Sequence, residues 1–152
     1  LSNLSMEIAI LGLGCFWGPE IKFSKLNGVV KTEVGYCGGN ASITNYKDVC
    51  TGKTNHAEVV KLDFDPGVIS YKKILEYFFE IHDPTTLNYQ GPDFGTQYRS
   101  EIFYLNEKQK IIAEKIIEKE NIKLSGKVVT KTSLVKNYCP AEEYHQRYLE
   151  KR

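Results

Sequence analysis

The sequence predicts an α+β fold in which helices pack against one mixed β-sheet. Short segments with continuous or alternating apolar residues, which are typical of strands, are separated by longer segments with helical apolar spacing. Their order is β-α-β-β-α-β followed by α-β-α, which lacks the strict alternation of a doubly wound sheet. The length of 152 residues is that of one domain, so we expect a single domain over residues 1–152.

The first half of the chain predicts three strands and one helix. The helix is expected to begin beside Pro19, because proline suits a first helical turn. Residues 37–55 form a polar stretch, and a loop of that length is uncommon in a compact domain unless it is functional. The predicted elements are strands at 7–13, 29–36 and 56–66 and a helix from Gly18 to Asn27.

The second half predicts three helices and two strands. Ser70 is the expected N-cap of the first of these helices. Residues 84–98 are rich in glycine and proline and form a second irregular stretch. Pro140 and the acidic residues after it are typical of a helix N-terminus, so a terminal helix is expected. The predicted elements are helices at 70–83, 106–121 and 140–152 and strands at 99–105 and 127–135.

The order of these elements narrows the predicted fold. Strand, helix, strand, strand, helix, strand is the order of the ferredoxin-like split motif. We therefore expect a two-layer sandwich with a mixed β-sheet and a ferredoxin-like core.

The composition excludes several classes of function. A net charge of +1 gives no electrostatic basis for binding nucleic acid or an anionic membrane. The sequence has no apolar run of transmembrane length and no signal-peptide pattern, so a cytoplasmic location is expected. The four cysteines lack a C-x-x-C pair and zinc-finger spacing, which argues against a structural metal site or a disulfide scaffold.

The stretch GCFWG places Cys15 directly before the first predicted helix. Its glycine spacing does not match the dinucleotide fingerprint, and residue 21 is isoleucine where a phosphatase-type thiolate loop needs arginine. The dipole and free N–H groups of a helix N-terminus favour a thiolate. Cys15 is therefore either a reactive thiol beside an apolar pocket or a small buried residue.

A nucleophile of this kind needs an acid or a base, for which the candidates are Glu58 and three histidines. Glu58 shares a strand face with Val60, where a carboxyl group forms either an edge-strand ion pair or a buried acid that donates a proton. We expect His82 to be a cation at a helix C-terminus and His145 to lie on the surface of the terminal helix. His56 begins a strand.

Five motifs resemble the A-type peptide methionine sulfoxide reductase family. They occur in the family's order and extend over almost the whole chain. The resemblance implies an oxidoreductase that reduces the S epimer of methionine sulfoxide, free or in proteins, and so repairs proteins after oxidative stress. The motifs are GCFWG, HAEVV, DPTTLN, GTQYRS and PAEEYHQ.

The resemblance also implies a role for each candidate residue. Cys15 attacks the sulfoxide sulfur, and Glu58 acts as an acid on its oxygen. Such an oxygen leaves as water or hydroxide, so it has to be protonated and held by donors while the S–O bond breaks. The implied donors to this oxygen are Tyr46 and Tyr98. The implied substrate-binding residues are Phe16 and Trp17, around the methyl group, and Asp93, in the same pocket.

The product implied for the protein is a sulfenic acid on Cys15, which another thiol has to reduce. Many members of the family carry a resolving cysteine in a glycine-rich tail, and this sequence ends at Arg152. We therefore expect that none of the other cysteines resolves the sulfenic acid efficiently. They are Cys37, Cys50 and Cys139. The expected reductant is an external thiol, thioredoxin or glutathione with glutaredoxin, and no metal or organic cofactor is expected.

Two other functions stay open from the residues alone. A non-enzymatic thiol redox sensor would use Cys15 and give no joint role to Glu58 and the two tyrosines. A cysteine hydrolase would need a histidine base near Cys15, for which His56 is the plausible candidate.

Overall fold

Residues 5–152 are described here, from a computed structural model of the chain, and they form eight strands, four α-helices and two 3₁₀ helices. The strands are β1 (Glu7–Leu13), β2 (Val29–Cys37), β3 (Ala57–Phe64), β4 (Tyr89–Gln90), β5 (Asp93–Phe94), β6 (Ser100–Tyr104), β7 (Lys131–Leu134) and β8 (Cys139–Pro140). The α-helices are α1 (Trp17–Ser24), α2 (Tyr46–Cys50), α3 (Tyr71–Glu80) and α4 (Glu107–Lys123). The 3₁₀ helices lie at Thr96–Tyr98 and Glu143–His145.

Six strands form one sheet in the order β7-β6-β1-β3-β2-β8. Its four central strands, β6, β1, β3 and β2, pair antiparallel with one another, which is the arrangement of a ferredoxin-like core. Strand β7 is parallel to β6 and makes the sheet mixed. The predicted α+β fold with a mixed sheet and a ferredoxin-like core is confirmed.

The main hydrophobic core lies where helices α1, α3 and α4 pack on the sheet. Strand residues contribute fully buried aliphatic side chains, and helix α3 contributes its apolar stripe. Ser70 caps α3 as predicted, since its hydroxyl accepts a hydrogen bond of 3.1 Å from the Lys73 N–H. A smaller cluster on the sheet comprises Ile10, Cys37, Ala57, Val59 and Phe103.

The predicted terminal helix over residues 140–152 is wrong. After β8 the chain makes one 3₁₀ turn and continues in turns. Side chains of this segment bind other parts of the protein: the Gln146 amide accepts from the Val34 N–H at 2.9 Å and donates to the Val34 carbonyl at 2.9 Å. These contacts fix the segment against the edge of β2, so tertiary contacts override the local helix signal.

The expectations for two histidines are also wrong. His145 is 1% exposed, because the terminal segment folds inward. His82 is buried, and burial lowers its pKa to about 4, so its ring is neutral rather than a capping cation. Its Nδ1–H donates to the Phe78 carbonyl at 2.6 Å, and Nε2 accepts from the Ser100 hydroxyl at 2.8 Å.

The two predicted loops contain short regular elements. Residues 37–55 include α2, and residues 84–98 include the β4–β5 hairpin and a 3₁₀ helix. Within residues 5–152, no helix combines the length and the apolar character that spanning a membrane requires. The predicted domain of residues 1–152 includes residues 1–4, which lie outside the described residues, and its extent stays a prediction.

Candidate active site

Cys15 lies between the carboxyl end of β1 and the start of α1, and it is half-buried. Burial raises the pKa of its thiol to about 11, and a hydrogen bond with the Trp17 backbone opposes this rise. The charges of Glu58 and Asp93 raise the pKa further. The lowered pKa expected from a helix N-terminus is therefore wrong for the protein without substrate, because the effect of burial is larger than that of the hydrogen bond with the Trp17 backbone. The resting group is a thiol.

Glu58 lies on β3 beside the same turn and is 1% exposed. Its Oε1 atom accepts a hydrogen bond of 3.2 Å from the Phe16 N–H, while Oε2 has no hydrogen-bond partner among the described residues. Burial raises the pKa of the carboxyl group to about 8, against the effect of the Phe16 N–H, and the charge of Asp93 raises it further. At neutral pH Glu58 is therefore a protonated acid rather than an edge-strand ion pair.

Tyr46 and Tyr98 meet although they belong to different loops. Tyr46 is the first residue of α2, and Tyr98 ends a 3₁₀ helix. Burial raises the pKa of Tyr98 to about 12, and a hydrogen bond with the Tyr46 hydroxyl moderates the rise. Burial also raises the pKa of Tyr46, as do a hydrogen bond with Cys50 and the charge of Glu58. Both hydroxyl groups are therefore protonated donors at neutral pH.

The two aromatic residues after Cys15 have different environments. Phe16 is 1% exposed and belongs to the main core, with its ring centroid 5.8 Å from that of Tyr36. Trp17 is half-buried, and its indole stacks on the ring of Tyr148 at 3.8 Å and 9°. Trp17 is thus the more accessible of the two predicted pocket walls.

Asp93 lies in the β4–β5 hairpin and is half-buried. Its charge acts on both Cys15 and Glu58, which places it in the same electrostatic environment. The hairpin packs on the Cys15 turn through Gln90: a Cβ atom on Gly14 would lie 2.8 Å from the Gln90 Cβ. Gly14 also has a φ of +101°, so glycine is required there for both reasons.

The seven predicted site residues thus come from three separate parts of the chain. The charges of Glu58 and Asp93 act on the thiol of Cys15. The charge of Glu58 also acts on the hydroxyl groups of Tyr46 and Tyr98. The side chain of Phe16 is withdrawn into the core.

Sequence reasoning missed the contribution of the terminal segment. The Glu142 carboxylate accepts hydrogen bonds from the Tyr36 hydroxyl at 2.8 Å and from the Tyr46 N–H at 2.9 Å, so it fixes the start of α2. The ring of His145 contacts Phe16 and Tyr46. The motif PAEEYHQ contains both Glu142 and His145 and could have indicated them. Because a helix was predicted there, the sequence did not show which of its side chains face the site.

The histidines do not provide a base for Cys15. His56 is buried, and its Nε2 lies 3.0 Å from the Ala41 carbonyl oxygen. The rings of His82 and His145 bind Ser100 and Trp17. Within residues 5–152 no hydrogen bond joins a histidine to Cys15, so the geometry does not favour a cysteine hydrolase.

All four cysteines are free thiols. Cys37 is buried and donates a hydrogen bond to the Lys136 carbonyl at 3.4 Å. Cys139 is also buried, with its sulfur 3.6 Å from the Thr44 carbonyl oxygen. Cys50 is exposed and lies beside the Tyr46 hydroxyl.

Comparison with protein families gives one match over almost the whole chain. The sequence model of the family described as "Peptide methionine sulfoxide reductase" matches residues 7–152. A curated relative from Pelagibacter ubique, "Peptide methionine sulfoxide reductase MsrA", is 80% identical over 147 residues, which cover 97% of this chain and 100% of the relative. The protein of the same name from Saccharolobus solfataricus is 50% identical, over 96% of this chain and 82% of its own.

Solved structures agree with the sequence comparisons. Mxr1 from Saccharomyces cerevisiae in reduced form has a TM-score of 0.94 and 40% identity, over 99% of this chain and 87% of its own. Methionine sulfoxide reductase A of Corynebacterium diphtheriae has a TM-score of 0.93 and 38% identity, over 97% of this chain and 76% of its own. Mxr1 in complex with Trx2 has a TM-score of 0.68 and 28% identity, over 96% of this chain and 86% of its own.

Proposed function

Since the chain belongs to the peptide methionine sulfoxide reductase A family of oxidoreductases, we propose that it reduces the S epimer of methionine sulfoxide to methionine with electrons from a thiol. The substrate is the free amino acid or an oxidised protein. The observation that carries the proposal is Glu58, a buried protonated acid held against the turn of the Cys15 thiol with one oxygen unpartnered among the described residues. The choice of the S epimer follows from the family, because each reductase of this kind acts on one epimer.

The Cys15 sulfur bonds to the sulfoxide sulfur while the S–O bond breaks. The oxygen takes one proton from Glu58 and one from the thiol and leaves as water. A water molecule then adds to the Cys15 sulfur, which releases methionine and leaves a sulfenic acid, and the remaining proton returns to Glu58. The cysteine sulfur is oxidised by two electrons, and the methionine sulfur is reduced by two.

The hydroxyl groups of Tyr46 and Tyr98 hold the departing oxygen in this proposal. Their raised pKa values support it, because both groups keep their protons and can donate hydrogen bonds. The indole of Trp17 contacts the substrate methyl group, and Phe16 supports the wall from the core. Burial keeps Glu58 protonated, and the charge of Asp93 adds to this effect.

The sulfenic acid on Cys15 is reduced by an external thiol, for which we propose thioredoxin, with glutathione and glutaredoxin as the alternative. The similarity to Mxr1 in complex with Trx2 supports the first. The burial of Cys37 and Cys139, each with its sulfur near a backbone carbonyl, argues against these two thiols as the resolving group. A cytoplasmic location accords with a thiol reductant and stays a prediction.

The purified protein tests the proposal directly when it is given dithiothreitol and the separated epimers of N-acetylmethionine sulfoxide. We expect multiple turnovers of the S epimer and none of the R epimer. Failure to turn over either epimer would favour a redox sensor, and turnover of the R epimer alone would contradict the family-based choice of epimer.

A further inference from the structure

The terminal segment carries one buried side chain that the proposed reaction does not use. The ring of His145 lies among three aromatic residues of the site, with centroid distances of 5.2 Å to Phe16, 5.8 Å to Trp17 and 4.7 Å to Tyr46. The residue is 1% exposed. Burying a polar ring in such surroundings costs free energy unless its nitrogen atoms are hydrogen-bonded.

The hydrogen bond of His145 fixes its tautomer. The Trp17 Nε1–H lies 3.1 Å from His145 Nδ1. An indole N–H can only donate, so Nδ1 carries the lone pair and the proton of the neutral ring is on Nε2. Nε2 is buried without a hydrogen-bond partner among the described residues, so the bond to Trp17 is the one that this side chain makes within residues 5–152.

The indole of Trp17 is held at two places. His145 binds its N–H edge, and Tyr148 stacks on one of its faces at 3.8 Å and 9°. Both residues belong to the terminal segment, whereas Trp17 begins α1 beside Cys15. These two contacts therefore set the orientation of the indole. Neither of them covers its second face.

We propose that His145, in its Nε2–H tautomer, is a positioning residue that holds the Trp17 indole in place as the wall for the substrate methyl group. This inference rests on the proposed function, in which Trp17 contacts substrate. His145 acts through Trp17 and contributes no proton to the reaction. Its loss should therefore affect substrate binding more than the rate of the chemical step.

Three variants separate the hydrogen bond from packing. His145→Phe keeps an aromatic ring and removes the acceptor, while His145→Gln restores an acceptor in a side chain that does not titrate. Tyr144→Leu is the matched control, because Tyr144 is exposed and its ring packs on His145 at 4.2 Å without a role in the hydrogen bond.

The chain has one tryptophan, so its NMR spectrum contains a single indole N–H signal that belongs to Trp17. We expect this signal to exchange slowly with solvent in the wild type and in Tyr144→Leu and quickly in His145→Phe, with His145→Gln close to the wild type. Single-turnover kinetics with N-acetylmethionine sulfoxide should show a half-saturating concentration roughly two- to tenfold higher in His145→Phe, the effect of one hydrogen bond. The maximal rate should change less, and His145→Gln should recover most of the binding.

An unchanged indole signal and unchanged half-saturation in His145→Phe would overturn the proposal, as would a His145→Gln variant no better than His145→Phe in both measurements. Long-range ¹H–¹⁵N spectra of the wild type give a test that does not depend on any variant folding, because a proton on Nδ1 of His145 contradicts the assigned tautomer. A wild type that reduces no methionine sulfoxide would refute the proposed function instead, while the indole signal would still decide the hydrogen bond.

Discussion

Replacing Glu58 with glutamine removes one proton donor and changes the shape of the side chain little. With a pKa of about 8, Glu58 is about nine-tenths protonated at pH 7. Because the amide oxygen of the introduced glutamine can still accept the hydrogen bond from the Phe16 N–H, the lost function is the acid alone. We expect the single-turnover rate at pH 7 to fall by roughly 10²–10⁴, the usual contribution of a general acid.

The pH dependence of the wild type follows from the same group. In the proposed reaction the departing oxygen takes one proton from Glu58 and one from Cys15, and both protons are present at pH 7 and below. The single-turnover rate should therefore be nearly level up to about pH 7 and fall as Glu58 ionises around pH 8. In Glu58→Gln this decline should be absent. Glu33→Gln is the matched control: it makes the same chemical change on β2, where the Tyr138 hydroxyl donates to Glu33 at 2.6 Å.

Glu58 should also lower the stability of the folded protein near neutral pH. A carboxyl group whose pKa is raised on folding stabilises the fold below its unfolded value of 4.5, and that stability is lost as the pH rises towards 8. At about 1.4 kcal/mol per pH unit, the loss between pH 4.5 and pH 7 is at most about 3.5 kcal/mol. Glu58→Gln, which stays neutral, should therefore resist urea better than the wild type at pH 7 and show little difference at pH 4.5. A variant with near wild-type single-turnover rate, or with lower stability at pH 7, would refute the assignment of Glu58 as a buried acid.

Three further outcomes are expected. Cys15→Ser should abolish reduction of S-methionine sulfoxide while circular dichroism shows a folded protein; retained turnover would move the nucleophile to another residue. One equivalent of substrate without reductant should leave a sulfenic acid on Cys15 that dimedone traps, whereas loss of two thiols with a Cys15–Cys139 peptide in the mass spectrum would reveal an internal resolving cysteine. Ser70→Ala removes the N-cap of α3 and should lower the free energy of unfolding by about 1 kcal/mol in urea titrations, without changing turnover; equal stability would contradict the cap.

The sequence predicted the central fold well because its signals there are local. Alternation along β3 and the cap at Ser70 depend on neighbouring residues, and both elements are found within two residues of the predicted positions at their start. The turn that contains Cys15 was also predictable, because a strand precedes it and a helix follows it. These two elements restrict the positions that the thiol can take. The residues of the site were proposed from motifs, and their roles stay predictions.

The features that could not be predicted depend on contacts between distant parts of the chain. The residues after Pro140 carry a strong local helix signal, yet Glu142 and Gln146 bond to Tyr46 and Val34 instead of supporting a helix. The pKa of Cys15 was expected to fall, and burial raises it. In both cases the deciding quantity is the environment that the whole fold creates.

The raised pKa values of Cys15 and Glu58 share two causes, of which burial is the larger and the charge of Asp93 the smaller. Both groups are acids in a partly dry pocket, and Asp93 adds a negative charge that favours the protonated form of each. A pocket built to bind a thiolate would contain cations in place of Asp93 and Glu58. This pocket instead retains two protons at neutral pH, and two protons are what a sulfoxide oxygen needs in order to leave as water. In the proposed reaction these two protons are the ones that the departing oxygen takes, and the same environment lowers the nucleophilicity of the resting thiol.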